Sequence, residues 1–174
     1  MGITVCAVMG LTWAGSASGA LRAVVAVPLL AVAVACSAAL LVGASRLRHA
    51  ATALPDQASS GPDLTKSRRQ FSMVMAGEVA AILVAASVLG RSDNAEWIPA
   101  TICLVVGLHF IPLARLFRVP LYYATAVALC LVAATTMVLG AAGAPESLWR
   151  LLPGIGVALV LWVTGATLLA RSTR

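Results

Sequence analysis

Long runs of apolar residues, separated by short polar clusters, dominate the pattern along the chain. A helix needs about 20 apolar residues to cross the hydrocarbon layer of a bilayer, because each residue adds about 1.5 Å. Four runs meet this length, at residues 71–90, 97–114, 119–140 and 151–170. Each of them is predicted to be a transmembrane helix.

The first 43 residues form a longer apolar stretch in which Arg22 is the single charge. One helix of this length would extend about 65 Å, roughly twice the hydrocarbon thickness. Two helices joined by a turn near residues 19–22 are therefore predicted, which gives six spans. In an alternative interpretation residues 1–20 are a cleaved secretory signal and five spans remain, but the chain lacks the positively charged start that such signals use.

These patterns predict an all-α integral membrane bundle in three parts. They are an N-terminal hairpin at residues 1–43, a basic flexible connection at 44–70 and a four-span unit at 71–174. The connection contains proline, glycine and serine without apolar periodicity, as is typical of a tether. Gly15 and Gly19 form a GxxxG spacing, which lets helices approach closely but arises often by chance in alanine-rich segments.

The composition agrees with a membrane protein. Of 174 residues, 61% are apolar and 10% are charged, whereas soluble domains have about 45–50% and about 25%. A water-soluble globular fold is therefore excluded. The surplus of lysine and arginine does not indicate nucleic acid as a partner, because nearly every basic residue lies at the edge of an apolar run, where lipid head groups and membrane insertion explain it.

The same basic residues predict how the protein is oriented in the membrane. Lysine and arginine are enriched on the cytoplasmic side of membrane proteins, and here nine lie on one side of the predicted bundle and three on the other. Both termini and the long connection are therefore predicted to be cytoplasmic. The nine are Arg46, Arg48, Lys66, Arg68, Arg69, Arg115, Arg118, Arg171 and Arg174.

Aromatic residues mark the ends of several spans. Trp97 and Trp149 begin two spans on the predicted outer side, and Tyr122 and Tyr123 open another on the inner side. Such rings are typical anchors at the membrane interface. Either tyrosine can alternatively turn inward and present its hydroxyl group to a site.

Glu78 and His109 are the strongest candidates for chemistry. Glu78 lies within an apolar span, where a carboxyl group costs several kcal/mol unless it has a partner or a proton. By helix rise, Glu78 is roughly 10 Å and His109 roughly 9 Å from the same membrane edge. We expect the two groups to share a hydrogen bond and to hold or pass a proton. Arg115 and the two tyrosines are predicted as substrate-binding residues, and a purely structural clamp is the alternative.

Several other chemistries are not predicted. The cysteines lie one each in four apolar runs without a zinc-like spacing, and His49, the only other histidine, lies in the connection, so that a bis-histidine haem is not expected. Motifs of zinc hydrolases, serine hydrolases and phosphate-binding loops are also missing. The sequence predicts no cofactor and no metal. The four cysteines, interpreted as small buried hydrophobic residues, are Cys6, Cys36, Cys103 and Cys130.

Residues 71–140 resemble a group of small bacterial multi-span membrane proteins of unassigned function. In that group a glutamate-bearing span precedes a span that closes on Gly-Leu-His-Phe-x-Pro-Leu-Ala, here residues 107–114. The resemblance implies a bacterial inner-membrane protein in which Glu78 and His109 belong to the shared pattern. It implies no reaction.

Three functions remain open. In the first, a Glu78/His109 pocket that opens toward the cytoplasm binds or transports a small solute or a proton. The second is an intramembrane acid-base enzyme that acts on a lipid-like or isoprenoid substrate, and the third is a non-catalytic membrane subunit or assembly factor. Six thin helices enclose little volume, so a bulky ligand would require a homodimer.

Overall fold

The computed structural model describes residues 2–19, 21–52, 62–92 and 94–172. These residues form helices and no strand, which confirms the all-α prediction. A short 3₁₀ helix, Ala95–Trp97, lies between the third and fourth α-helices. The α-helices are α1 (Gly2–Ser18), α2 (Ala23–Thr52), α3 (Pro62–Arg91), α4 (Ile98–Phe117), α5 (Leu121–Ala141) and α6 (Glu146–Ser172).

Five of these helices are long and apolar enough to cross a membrane. The helix α1 is shorter: its 17 residues reach about 26 Å, against a hydrocarbon thickness of about 30 Å. The protein is thus a membrane-embedded helical bundle, while the sixth span stays a prediction. The five candidate spans are Ala23–Leu47, Arg69–Arg91, Ala95–Phe117, Leu121–Ala141 and Ser147–Ser172.

The chain divides into two units. We call Met1–Gln57 together with Arg150–Arg174 the terminal unit, and Ala58–Trp149 the central unit. From Arg150 onward the last helix thereby groups with the first two, whereas the sequence pattern predicts it within the four-span unit at residues 71–174. Helix also extends into both ends of the predicted connection at 44–70, since α2 ends at Thr52 and α3 begins at Pro62; residues 53–61 lie outside the described residues.

A glycine and a tryptophan set the packing of the terminal unit. A Cβ atom on Gly10 of α1 would lie 2.5 Å from Nε1 of Trp162 in α6, so that only glycine admits the indole ring there. The indole donates a hydrogen bond to Oγ of Ser37 in α2 (3.2 Å), and that hydroxyl group donates to the carbonyl oxygen of Ala7 (2.9 Å). One polar chain therefore connects all three helices of this unit.

Small residues likewise bring α4 and α5 together in the central unit. A Cβ atom on Gly107 would lie 2.9 Å from Sγ of Cys130. The buried thiol of Cys103, one turn away, donates to the carbonyl oxygen of Leu129 at 3.3 Å. Both cysteines are free, and they act here as small side chains between helices.

The two tryptophans at one end of the central unit stack on each other. The ring centroids of Trp97 and Trp149 are 5.4 Å apart with an interplanar angle of 22°. A Cβ atom on Gly140 would lie 2.7 Å from the Trp97 ring, and Trp149 is only 8% exposed. The pair that the sequence predicts as interfacial anchors therefore also packs within the protein.

The turn between α4 and α5 contains a left-handed residue. Arg118 has φ 53° and ψ 38°, and its N–H group donates to the carbonyl oxygen of Ala114. Among the described residues it is the one non-glycine residue with a positive φ. This conformation ends α4 and directs the chain into α5.

Candidate functional site

The candidate site lies on α3, the most exposed helix of the central unit. No residue in the most apolar stretch of its span is buried within the chain. The exposed side chains are mainly apolar, such as Val79, Leu83 and Val84. The side chain of Glu78, in contrast, is directed toward α4 and is only 13% exposed.

A ring contact fixes how α3 lies along α4. The ring centroids of Phe71 and Phe117 are 5.8 Å apart in an edge-to-face arrangement. Glu78 comes seven residues after Phe71, and His109 comes eight residues before Phe117. In antiparallel helices with the same rise per residue, this spacing puts both side chains at the same level.

The structure brings the carboxyl and imidazole groups into contact. Nε2 of His109 lies 3.4 Å from Oε2 of Glu78, and the side chains are 7% and 13% exposed, respectively. A carboxyl group within an apolar membrane span is tolerated when it has such a partner or carries a proton. With one proton between them the two groups are neutral as a pair, and each can then donate or accept a hydrogen bond. We call them the Glu78–His109 couple.

The couple forms part of the wall of an open groove between α3 and α4. The groove has a volume of about 330 Å³, at the lower end of the range of about 300–1,000 Å³ typical of small-molecule sites. Apart from the couple its lining side chains are apolar. We call it the Glu78 groove; its lining residues are Met73, Val74, Gly77, Glu78, Ala81, Val105, Leu108, His109 and Pro112.

Gly77 keeps this groove open beside the carboxyl group. A Cβ atom built on Gly77 meets no atom within 4 Å, in contrast to Gly107, where it would meet Cys130. Packing within the described chain therefore does not require glycine at position 77. A longer side chain there would project into free space next to Glu78.

The other three predicted site residues do not line the groove. Arg115 is exposed near the end of α4; it follows His109 by six residues, and at 3.6 residues per turn this rotates it about 120° away. Tyr123 is 42% exposed, on the neighbouring helix α5.

Tyr122 is buried for a structural reason. Its ring packs edge-on against Phe110 and Phe117, with centroid distances of 5.5 and 6.5 Å. The aromatic ring thus helps to join α5 to α4. Tyr122 thus faces inward, as in the alternative interpretation of the sequence. Its ring contacts Phe110 and Phe117, however, and does not line the groove.

Apart from Pro112, whose position beside His109 the sequence indicates, sequence reasoning did not identify the apolar wall of the groove. Val74, Ala81, Val105 and Pro112 lie three or four residues from Glu78 or His109, so that they share a helix face with the couple. This spacing of three or four residues is the signal in the sequence that could have identified them. Pro112 lies inside the continuous helix α4, where its ring leaves the carbonyl group of Leu108 without the usual helical donor.

Metal coordination has no support among the residues that the structure describes. No group of three or more histidine, cysteine, aspartate and glutamate side chains is arranged there to hold a metal ion. The chemistry available at the Glu78 groove is that of one carboxyl group, one imidazole and an apolar wall. It can bind a polar group and exchange a proton.

Comparisons with known proteins do not extend this chemistry. No family model matches the chain, and neither the curated proteins nor the solved structures yield a match. The resemblance of residues 71–140 to small bacterial membrane proteins therefore stays a prediction.

Proposed function

We propose that this integral membrane protein binds a small solute or a proton at the Glu78–His109 couple and moves it within the membrane. The observation that carries the proposal is the 3.4 Å contact between the two groups on the wall of an open groove. A purely structural clamp would not require open space beside its polar atoms. Glu78 and His109 instead line the groove, so that a molecule in the groove can contact the small part of their side chains that stays exposed.

The proposed environment is a bacterial inner membrane with both termini in the cytoplasm. The central unit supports this orientation, because the exposed residues Arg69, Arg115 and Arg118 lie at the end of the unit marked by the Phe71–Phe117 contact. The positive-inside rule assigns that end to the cytoplasm. The Glu78 groove then lies in the cytoplasmic half of the bilayer.

The couple supplies the mechanism. When a polar group of the solute enters, its hydrogen bonds replace the interaction between carboxyl and imidazole, and a proton that the couple gives up or takes on passes to or from that polar group. Occupancy and proton binding are thus linked, because both use the same oxygen and nitrogen atoms. A homodimer is a further proposal for ligands too large for a groove of about 330 Å³.

Labelling with a hydrophobic carbodiimide tests whether Glu78 exchanges a proton. A protonated carboxyl group transfers its proton to a carbodiimide nitrogen, while its oxygen bonds to the central carbon; a carboxylate does not react in this way. In proteoliposomes we expect dicyclohexylcarbodiimide to modify Glu78, with less modification as the pH rises. Peptide mass spectrometry measures the modified fraction.

Two variants make the labelling experiment specific. Glu78→Gln should abolish the modified peptide. Glu96→Gln should leave it unchanged, because Glu96 lies in the 3₁₀ helix outside the groove. Failure to modify Glu78 at any pH, or equal modification at every pH, would contradict an exchangeable proton at this site.

The apolar wall also supports a second candidate function, an acid-base enzyme acting on a lipid-like or isoprenoid substrate. Glu78 would donate the proton and His109 would stabilise the charge that develops. Neither Tyr122 nor Tyr123 is part of the groove lining. Conversion of a membrane lipid extract by the purified protein, lost in Glu78→Gln, would favour the enzyme over a transporter.

A further inference from the structure

We propose that the occupant of the Glu78 groove is a neutral, single-chain amphiphile with a hydroxyl head group, which enters sideways from the bilayer. This inference depends on the proposed function, because it assigns a ligand class to the same site. Three features of the groove carry it: the charge of the couple, the apolar wall and the open side.

The couple favours a neutral hydroxyl head group. With one proton between them, the carboxyl and imidazole groups carry no net charge and offer both a donor and an acceptor. A hydroxyl group can donate to one and accept from the other. A quaternary ammonium head group has no N–H to donate, and its positive charge would be balanced only if the couple lost its proton. An anionic head group would be repelled by the oxygen atoms of Glu78.

The apolar part of the groove wall favours a ligand with a single hydrocarbon tail. Every lining residue other than Glu78 and His109 is glycine, proline or a hydrophobic residue. Along α3 the lining extends from Met73 to Ala81, about 12 Å at the helical rise. A volume of about 330 Å³ is near the lower limit for ligand sites, so a single chain fits better than a two-chain phospholipid.

The open side favours entry from the lipid. Met73 and Leu108, on opposite walls, are 56% and 50% exposed, and both belong to candidate membrane spans. The groove therefore opens along the sides of two helices within the hydrocarbon region. A molecule dissolved in the bilayer reaches the couple without crossing water.

Gly77 allows the groove to be filled without disturbing the protein. A leucine at this position would extend into open space, because even its Cβ atom meets nothing within 4 Å. Gly90 on the same helix also has no neighbour within 4 Å and does not line the groove. The variants Gly77→Leu and Gly90→Leu thus add the same side chain to one helix, and only the first obstructs the site.

The experiment uses photoreactive probes in phosphatidylcholine nanodiscs. A long-chain primary alcohol with a diazirine in its tail is compared with a trimethylammonium compound of the same tail. We expect the alcohol to crosslink to the peptides of α3 and α4 at least about tenfold more than the ammonium, since one hydrogen-bonded group separates them. Gly77→Leu should reduce crosslinking about tenfold, whereas Gly90→Leu should not change it.

The outcomes separate this inference from the proposed function. Equal or stronger crosslinking of the ammonium, still blocked by Gly77→Leu, overturns the hydroxyl head group and leaves the binding site intact. If Gly77→Leu changes the crosslinking of neither probe while carbodiimide labels Glu78 in a pH-dependent way, the proposed amphiphile ligand is wrong and the proposed proton site is retained. If neither experiment gives a signal, both proposals fail. Size-exclusion profiles of the leucine variants verify that they are folded.

Discussion

The two units of this protein use polar side chains in opposite ways. In the terminal unit, Ser37 both donates and accepts hydrogen bonds, and Trp162 fills the space above Gly10. In the central unit, Glu78 and His109 meet on the wall of a groove, and the space beside Gly77 is empty. The comparison separates a polar chain that joins three helices through a filled space from a polar pair that joins two helices beside an open groove.

The largest expected effect comes from filling the space above Gly10. Gly10→Leu puts a side chain where the Trp162 ring lies, and overpacking of this kind costs about 1–3 kcal/mol or more. We expect a marked loss of resistance to unfolding by sodium dodecyl sulfate. Gly15→Leu is the matched control in the same helix, because its Cβ atom meets nothing within 4 Å; equal loss in both variants would contradict the packing described for Gly10.

Removal of the hydroxyl group of Ser37 should have a smaller effect. Ser37→Ala leaves the indole N–H of Trp162 and the carbonyl oxygen of Ala7 without this partner. Because the bond to the indole is only part-buried, we expect a cost near the lower end of the range of about 1–3 kcal/mol for an unsatisfied buried group. The same detergent titration measures the change. Ser45→Ala should be close to wild type, because that exposed hydroxyl group bonds only within its own helix; a neutral Ser37→Ala would mean that the polar chain does not stabilise the unit.

The smallest expected effect on stability is at Glu78. Glu78→Gln keeps the shape of the side chain and can still accept from or donate to His109, so that we expect a change smaller than the about 0.5–1.5 kcal/mol of one lost hydrogen bond. The same variant should lose carbodiimide labelling completely. A loss of stability as large as that of Ser37→Ala would instead identify the couple as a structural clamp and remove the contrast between the units.

The helices and the Glu78–His109 couple could be predicted because they depend on simple distances along a helix. Apolar run length gave the spans, and counting residues from a shared membrane edge gave the pairing of Glu78 with His109. Both follow from the constant rise of a helix. The break between α1 and α2, at Ser18 and Ala23, agrees with the turn predicted from excess length in the same way.

Features that depend on the direction of a side chain could not be predicted. In a membrane the lipid is as apolar as the protein interior, so that hydrophobicity does not show which face of α6 or α3 meets another helix. The grouping of α6 with α1 and α2, the burial of Tyr122 and the opening beside Gly77 all depend on such faces. The GxxxG spacing illustrates the limit, because a Cβ atom on Gly15 touches nothing within 4 Å.

The left-handed Arg118 combines a backbone conformation that favours glycine with a charged side chain. Glycine would adopt φ 53° without the steric cost of about 1 kcal/mol or more that a side chain adds. The chain nevertheless has a permanently charged guanidinium group there, within three residues of Arg115. Arg118→Gly should relax the backbone and at the same time remove one of the basic residues on which the proposed cytoplasmic position of the turn between α4 and α5 depends. The backbone conformation would thus favour glycine at position 118, whereas the proposed orientation favours a positive charge.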